Sequence, residues 1–158
     1  MCEIVVRLAT PADAGFLTQG NAAMALETEG MVLDLVRLRA GVDGVFADAS
    51  RGVYYVAEID HRPVGQLLIT YEWSDWRNGN FWWIQSVFVE PAFRGLGVFR
   101  TLYAHVHALA RADGNVCGLR LYVEHDNTRA QATYERCGMK RTAYQMFSDD
   151  FVLEIVRQ

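Results

Sequence analysis

The sequence predicts an α/β fold: one mixed sheet of six to seven strands flanked by about four helices. Three observations carry this expectation. Apolar residues follow a helical period up to about residue 47, a strand period from 53 to 89, and a helical period again after Leu96. Asn78-Gly79 marks a hairpin, since both residues tolerate positive φ. A buried strand ending at Val89 then feeds a glycine-bearing loop that opens a helix.

The elements follow in order. Residues 4–8 read as a short strand. Thr10-Pro11-Ala12-Asp13 reads as a helix start, with a hydroxyl cap, proline at the first position and an acid in the first turn; this helix runs to about Leu26. Glu27-Thr28-Glu29-Gly30 reads as a loop, and residues 34–47 as a second helix with Leu35, Leu38, Val42 and Val45 on one face. Strands are expected over 53–59 and 64–73, with His61-Arg62-Pro63 as the turn between them, and the returning strand spans 81–89. With Asn78-Gly79 at the turn centre, Arg77 faces Asn80, Asp75 faces Trp82 and Glu72 faces Gln85. A helix over 96–112 carries Phe99, Leu102, Tyr103, Val106, Leu109 and Ala110 on one stripe. A strand over 119–124, a helix over 127–137 closed by Gly138, and strands over 141–147 and 151–156 complete the chain.

The 158 residues fit a single domain, and 51% apolar with 22% charged residues is ordinary for a fold with a substantial core. A net charge of −4 argues against a general binder of nucleic acid or of an anionic membrane surface. No apolar run is long enough to span a bilayer, and the opening MCEIVVRLAT lacks the basic start and apolar stretch of a secretory leader. Cys2, Cys117 and Cys137 stand in no metal-ligand spacing, so they read as free thiols in a reducing cytoplasm, and no metal is expected.

The segment that carries chemistry is Val87 to Arg100. After the strand Val87-Phe88-Val89 comes Arg94-Gly95-Leu96-Gly97, then Val98-Phe99-Arg100 opens a helix. Free N–H groups at a helix start attract anions, glycines let a phosphate approach the backbone, and Arg94 and Arg100 supply charge-assisted donors. The stretch is a pyrophosphate cradle on those grounds. It lacks the lysine of a Walker-type loop and the third glycine of a dinucleotide fingerprint.

This stretch resembles the CoA-binding motif of the GNAT N-acetyltransferase superfamily, in which Arg or Gln is followed, after two intervening residues, by Gly and then, after one more, by Gly or Ala. Arg94, Gly97 and Phe99 occupy those places, and Phe99 departs from the pattern. Leu121-Tyr122-Val123, Asn127, Ala130, Tyr134 and Cys137-Gly138-Met139 resemble the family's second signature; Arg7-Leu8-Ala9-Thr10 with Asp13 resembles its opening. The resemblance implies acetyl-CoA as cofactor, lying where two parallel strands splay apart. It implies that the main chain of Val87, Phe88 and Val89 pairs with the pantetheine arm, and that an N–H near Val87 or Phe88 polarises the thioester carbonyl. The backbone of Arg94, Gly95, Leu96, Gly97, Val98, Phe99 and Arg100 would hold the pyrophosphate. Asn127 reads either as a contact to the cofactor arm or as a helix cap. Tyr134 would protonate the leaving thiolate.

An amine acceptor must lose a proton, and Glu72, Glu124, Glu27 and Glu29 are the candidate bases, with His125 behind them. Glu27 and Glu29 could instead attract a cationic substrate. Tyr71, Trp73, Trp76, Phe81, Trp82 and Trp83 crowd one hairpin; they read first as core and cross-strand pairs, second as a substrate wall including Trp73 and Trp83, third as a dimer face. The expected function is acetyl transfer to a primary amine of a small molecule or peptide by a cytoplasmic homodimer. The alternative is a CoA-binding sensor without turnover.

Overall fold

The computed structural model describes residues 2–153. Five strands form one sheet in the order β1-β2-β3-β4-β5: β1 Val5–Leu8, β2 Val53–Ile59, β3 Arg62–Ser74, β4 Gly79–Val89 and β5 Val116–Arg120. The first four pair antiparallel as neighbours, and β5 joins β4 in parallel. Helices α1 (Ala14–Glu29), α2 (Leu35–Ala47), α3 (Val98–Ala112) and α4 (Thr128–Arg136) complete the fold.

Strand alternation divides the core between two faces. On one, Tyr55, Ala57, Ile59, Leu67 and Ile84 pack with Val98, Leu102, Tyr103 and Val106 of α3. On the other, Tyr54 and Val56 pack with Ala14 and Leu17 of α1 and Val42 of α2. The predicted α3 stripe is buried at Leu102, Tyr103, Val106 and Ala110, whereas Leu109 is exposed.

The start of α1 is tied to the sheet by charge. Asp13 is 6% exposed; it accepts from the Thr10 N–H at 2.7 Å and from both terminal nitrogens of Arg7, which also pairs with Glu58. The Arg7 bonds hold the Asp13 carboxyl below its ordinary range, outweighing the desolvation that would raise it.

Several boundaries differ from expectation. Helix α1 continues through Glu29 and stops at Gly30 with φ 64°, so Glu27 and Glu29 lie on its last turn rather than in a loop. The β2–β3 turn is Asp60-His61, at φ 49° and 63°, leaving Arg62 and Pro63 in β3. The β3–β4 register is Ser74↔Gly79, Trp73↔Asn80 and Glu72↔Phe81, four residues from the predicted one. Asn78 has the expected positive φ, but it ends a loop over 75–78, and Gly79 is a buried strand residue: a Cβ there would lie 2.9 Å from the Asn115 carbonyl.

Strand β5 lies earlier than 119–124, because the β4 ladder takes up Val116 onward as soon as the chain leaves α3. Among the described residues no strand follows β5, so the sheet has five strands rather than six or seven. Residues 141–147 alternate suitably, yet a strand needs a ladder partner, and this segment pairs with none; Tyr144, Met146 and Phe147 face solvent. Residues 151–153 are likewise not strand, and the remainder of the expected last strand lies outside the described residues.

Candidate functional site

Strand β4 is built in two halves. From Asn80 to Trp83 it pairs with β3 on one side and with β5 on the other, and the β5 ladder ends at the Trp83↔Arg120 pair. Beyond it, β4 runs on to Val89 with β3 alone. In that second half the register slips: Leu68 faces Gln85 and Gln66 faces Phe88, so Ser86 and Val87 together oppose the single residue Leu67. This is a β-bulge, and Ser86 sits in it at φ 52°.

Backbone alternation decides which groups face the gap. The Glu90 N–H bonds the Val64 carbonyl at 2.9 Å, so Glu90 and Phe88 face β3 and Val89 faces away from it. Accordingly, the Val89 carbonyl accepts from Arg94 Nε at 2.9 Å. The Ser86 carbonyl points to the Gln66 side chain, with Nε2 at 3.3 Å. In a trans peptide N–H and C=O point oppositely, so the Val87 N–H is directed away from Gln66, and the β5 ladder does not reach this residue.

After β4, a turn of 3₁₀ helix at Pro91–Phe93 leads into the bend 94–97. Gly95 and Gly97 adopt φ 82° and 88°, in the left-handed region that favours glycine. The Thr101 N–H bonds the Gly97 carbonyl, which leaves the amides of Val98, Phe99 and Arg100 at the helix start without an intrahelical acceptor. The outside of the bend is open. A Cβ on Gly95 would meet nothing within 4 Å, and one on Gly97 would meet only the Arg100 guanidinium, at 3.5 Å. Leu96 and Arg100 are exposed, while Val98 is buried in the α3 core.

Phe99, the departure from the motif, turns into the protein against Tyr103 and Tyr134, with ring centroids 6.2 and 5.4 Å away. Tyr134 is thereby seated on α4 beside the start of α3. Burial, with Cys137 nearby, pushes its phenol above the usual 10, so it carries its proton through the neutral range. Desolvation likewise raises the Cys137 thiol above its ordinary range. Asn127 caps α4, its side chain accepting from the Ala130 N–H at 3.1 Å.

The carboxylates are not gathered in one place. Glu27 lies at the bend, paired with Arg94 at 2.8 Å, and Glu29 is exposed on the same turn of α1. Glu124 accepts from the Asp126 N–H at 2.7 Å in the turn before α4, next to the exposed His125. Glu72 is bound to Arg120 at 2.7 Å and faces Phe81; six strand residues, or about 20 Å, separate Phe81 from Val87.

The aromatic hairpin divides likewise. Phe81 is buried, with the Arg120 guanidinium 3.6 Å from its ring centroid. Trp82 meets Tyr71 edge-on, and Trp83 meets Tyr122 at 6.0 Å. Trp73 and Trp76 are largely exposed around a shallow hollow with Glu72, Arg77, Arg120 and Tyr144. Sequence reasoning missed Gln66, Asn21, Tyr54 and Ser86, which meet beneath the bulge. The available signal was a lone amide within the apolar run Val64-Gly65-Gln66-Leu67-Leu68-Ile69.

The family model for the acetyltransferase (GNAT) family matches residues 27–139. A mycothiol acetyltransferase of Mycolicibacterium gilvum (strain PYR-GCK) is 37% identical over 75 residues, covering 45% of this chain and 25% of that protein. A thialysine N-epsilon-acetyltransferase of Caenorhabditis elegans is 32% identical over 81 residues, covering 51% of this chain and 49% of that protein. The matches thus span a quarter and about half of those two relatives. The crystal structure of a possible acetyltransferase from Clostridium difficile 630 is 40% identical, with a TM-score of 0.87 over 95% of this chain and 99% of that one. An aminoglycoside N-acetyltransferase in complex with CoA shares the fold, with a TM-score of 0.74 over 96% of this chain and 97% of that one at 15% identity.

Proposed function

Because the chain belongs to the GNAT acetyltransferase family, we propose that it binds acetyl-CoA along the open half of β4 and transfers the acetyl group to a primary amine within a ternary complex. The observation that carries this reading is the Ser86 carbonyl held by Gln66, which turns the Val87 N–H the other way on a stretch of β4 that β5 does not pair, next to a glycine bend at a helix start. Val87 and Val89 offer main-chain groups to the pantetheine arm as a sheet edge offers them to an added strand. The bend and the first turn of α3 hold the pyrophosphate, and Arg94 and Arg100 add charge. Arg94 exchanges its Glu27 partner for a phosphate oxygen.

Chemically, the Val87 N–H stabilises negative charge developing on the thioester oxygen. The amine nitrogen forms a bond to the carbonyl carbon, the carbon–sulfur bond breaks, and Tyr134 gives its proton to the departing thiolate. The proton lost by the amine passes, through water, to a carboxylate. We assign that role to Glu124, in the segment that leaves β5, since Glu72 is engaged by Arg120. Glu27 and Glu29 draw a cationic acceptor toward the cleft, and Trp83 with Tyr122 offers it an aromatic wall. The three cysteines are unpaired, as suits a reducing cytoplasm. A homodimer is supported by the outer edge of β5, which pairs with no strand among the described residues, together with the exposed side chains of Tyr144, Met146 and Phe147.

The test is calorimetry with CoA followed by thiol release from acetyl-CoA over a panel of primary amines. We expect one CoA per chain and release with at least one amine. Binding without release for any amine supports the sensor instead, and no binding contradicts both.

A further inference from the structure

Polar groups from four elements converge under the β4 bulge, inside the protein. Gln66 of β3 is fully buried, and Asn21 of α1 and Tyr54 of β2 are each 5% exposed. Gln66 Nε2 lies 3.2 Å from Asn21 Oδ1, 3.3 Å from the Ser86 carbonyl and 3.5 Å from the Leu17 carbonyl. Its two protons serve the two shorter contacts. Asn21 Nδ2 donates to the Tyr54 hydroxyl at 3.3 Å. Ser86 is therefore held at its carbonyl by an amide that is itself held by Asn21.

Two features make this more than a satisfied core amide. Gln66 Oε1 is buried with no hydrogen-bond partner among the described residues, a cost that leucine at this position would avoid. The fit is also tight: a Cβ on Gly20 would lie 2.4 Å from Gln66 Oε1 and 2.9 Å from the Phe88 ring, so α1 presses directly on the amide and on β4. The cluster meanwhile holds a non-glycine residue in the left-handed region, at φ 52°. A locally unfavourable conformation at Ser86 and an orphaned acceptor on the amide that bonds its carbonyl occur together under the bulge.

The Ser86–Val87 peptide joins core to site. Its carbonyl faces Gln66, and its N–H leaves in the opposite direction. We propose that Gln66, backed by Asn21, is a positioning residue that fixes the Ser86–Val87 peptide plane and so aims the Val87 N–H at the thioester carbonyl. The inference rests on the acetyl-CoA reading above. Gln66 touches neither cofactor nor acceptor; it acts through the Ser86 carbonyl. With the anchor gone, the plane can turn toward a more ordinary conformation, which swings the N–H off its target while the phosphate bend, elsewhere in the chain, keeps its shape.

The test is Gln66→Leu, read on the binary complex with acetyl-CoA labelled with carbon-13 at the carbonyl, so no acceptor is needed. In the wild-type protein, isotope-edited infrared spectroscopy should place the bound carbonyl stretch below that of free acetyl-CoA. In Gln66→Leu the band should return toward the free position while the calorimetric Kd for CoA stays within about twofold. With any amine that turns over, kcat should fall about 10- to 100-fold, with the KM for acetyl-CoA little changed. Should this variant not fold, Asn21→Ala leaves the Gln66 side chain in place and should give a smaller shift in the same direction. An unchanged band and kcat in a folded variant overturn the proposal and leave Gln66 a stability residue. A wild-type protein that does not bind acetyl-CoA overturns the underlying reading first, and this inference with it.

Discussion

The two halves of β4 share one strand but do different work. Asn80 to Trp83 has a partner on each side, and its side chains belong to the core or to the stacked aromatic surface. Ser86 to Val89 has β3 on one side and a gap on the other, with a bulge, a left-handed serine and a buried amide network fitted into that short stretch. The first half has spent its backbone hydrogen bonds on the sheet. The second keeps some back, and such groups are costly unless something supplies them with partners. A ligand with an amide-bearing arm is one such supply. Structure and site thus divide along the strand, and that division can be tested.

The sharpest distinction should come from Tyr134, at the open half. Tyr134→Phe should lower kcat about 100-fold or more, with little change in thermal stability or in the Kd for CoA, as measured by steady-state kinetics, melting and calorimetry. Because burial raises the phenol, any alkaline loss of kcat belonging to Tyr134 should lie above pH 10, and should be missing from the variant. Phe81→Ala tests the opposite half, where Phe81 is 7% exposed. Denaturant unfolding should show a loss of about 2–5 kcal/mol, while folded molecules bind CoA normally. The smallest of the three effects belongs to Gly97→Glu, which places a negative, conformationally strained side chain at the bend. Here calorimetry should show CoA binding weakened about tenfold or more, which corresponds to about 1.4 kcal/mol, with melting little affected. If Phe81→Ala and Tyr134→Phe exchanged signatures, the division of β4 would be wrong.

Much of this fold was legible in the residues. The period changes located four of the five strands closely and all four helices. The glycine bend and the α3 stripe stood out because helix starts and left-handed turns restrict residue choice at the sites themselves. What stayed hidden depends on partners distant in sequence. The Asn-Gly rule placed the hairpin correctly but missed its register, because Gly79 is required by the approach of Asn115 rather than by the turn. Residues 141–147 carry strand patterning without a ladder, and patterning alone cannot provide one. The bulge left no trace in composition, since its positive φ falls on a serine. Likewise, Glu27 looked like a loop acid facing solvent, and its pairing with Arg94 appears only once α1 is packed beside the bend.

Residue-resolved amide hydrogen exchange with and without CoA tests the central claim most directly, because it reads both halves of β4 in one experiment. We predict that CoA slows exchange at Val87, Val89 and the first turn of α3 by tenfold or more, about 1.4 kcal/mol of added protection, while Asn80 to Trp83 changes little. Saturating CoA that leaves the amides of Val87 and Val89 exchanging as in the free protein would contradict the account.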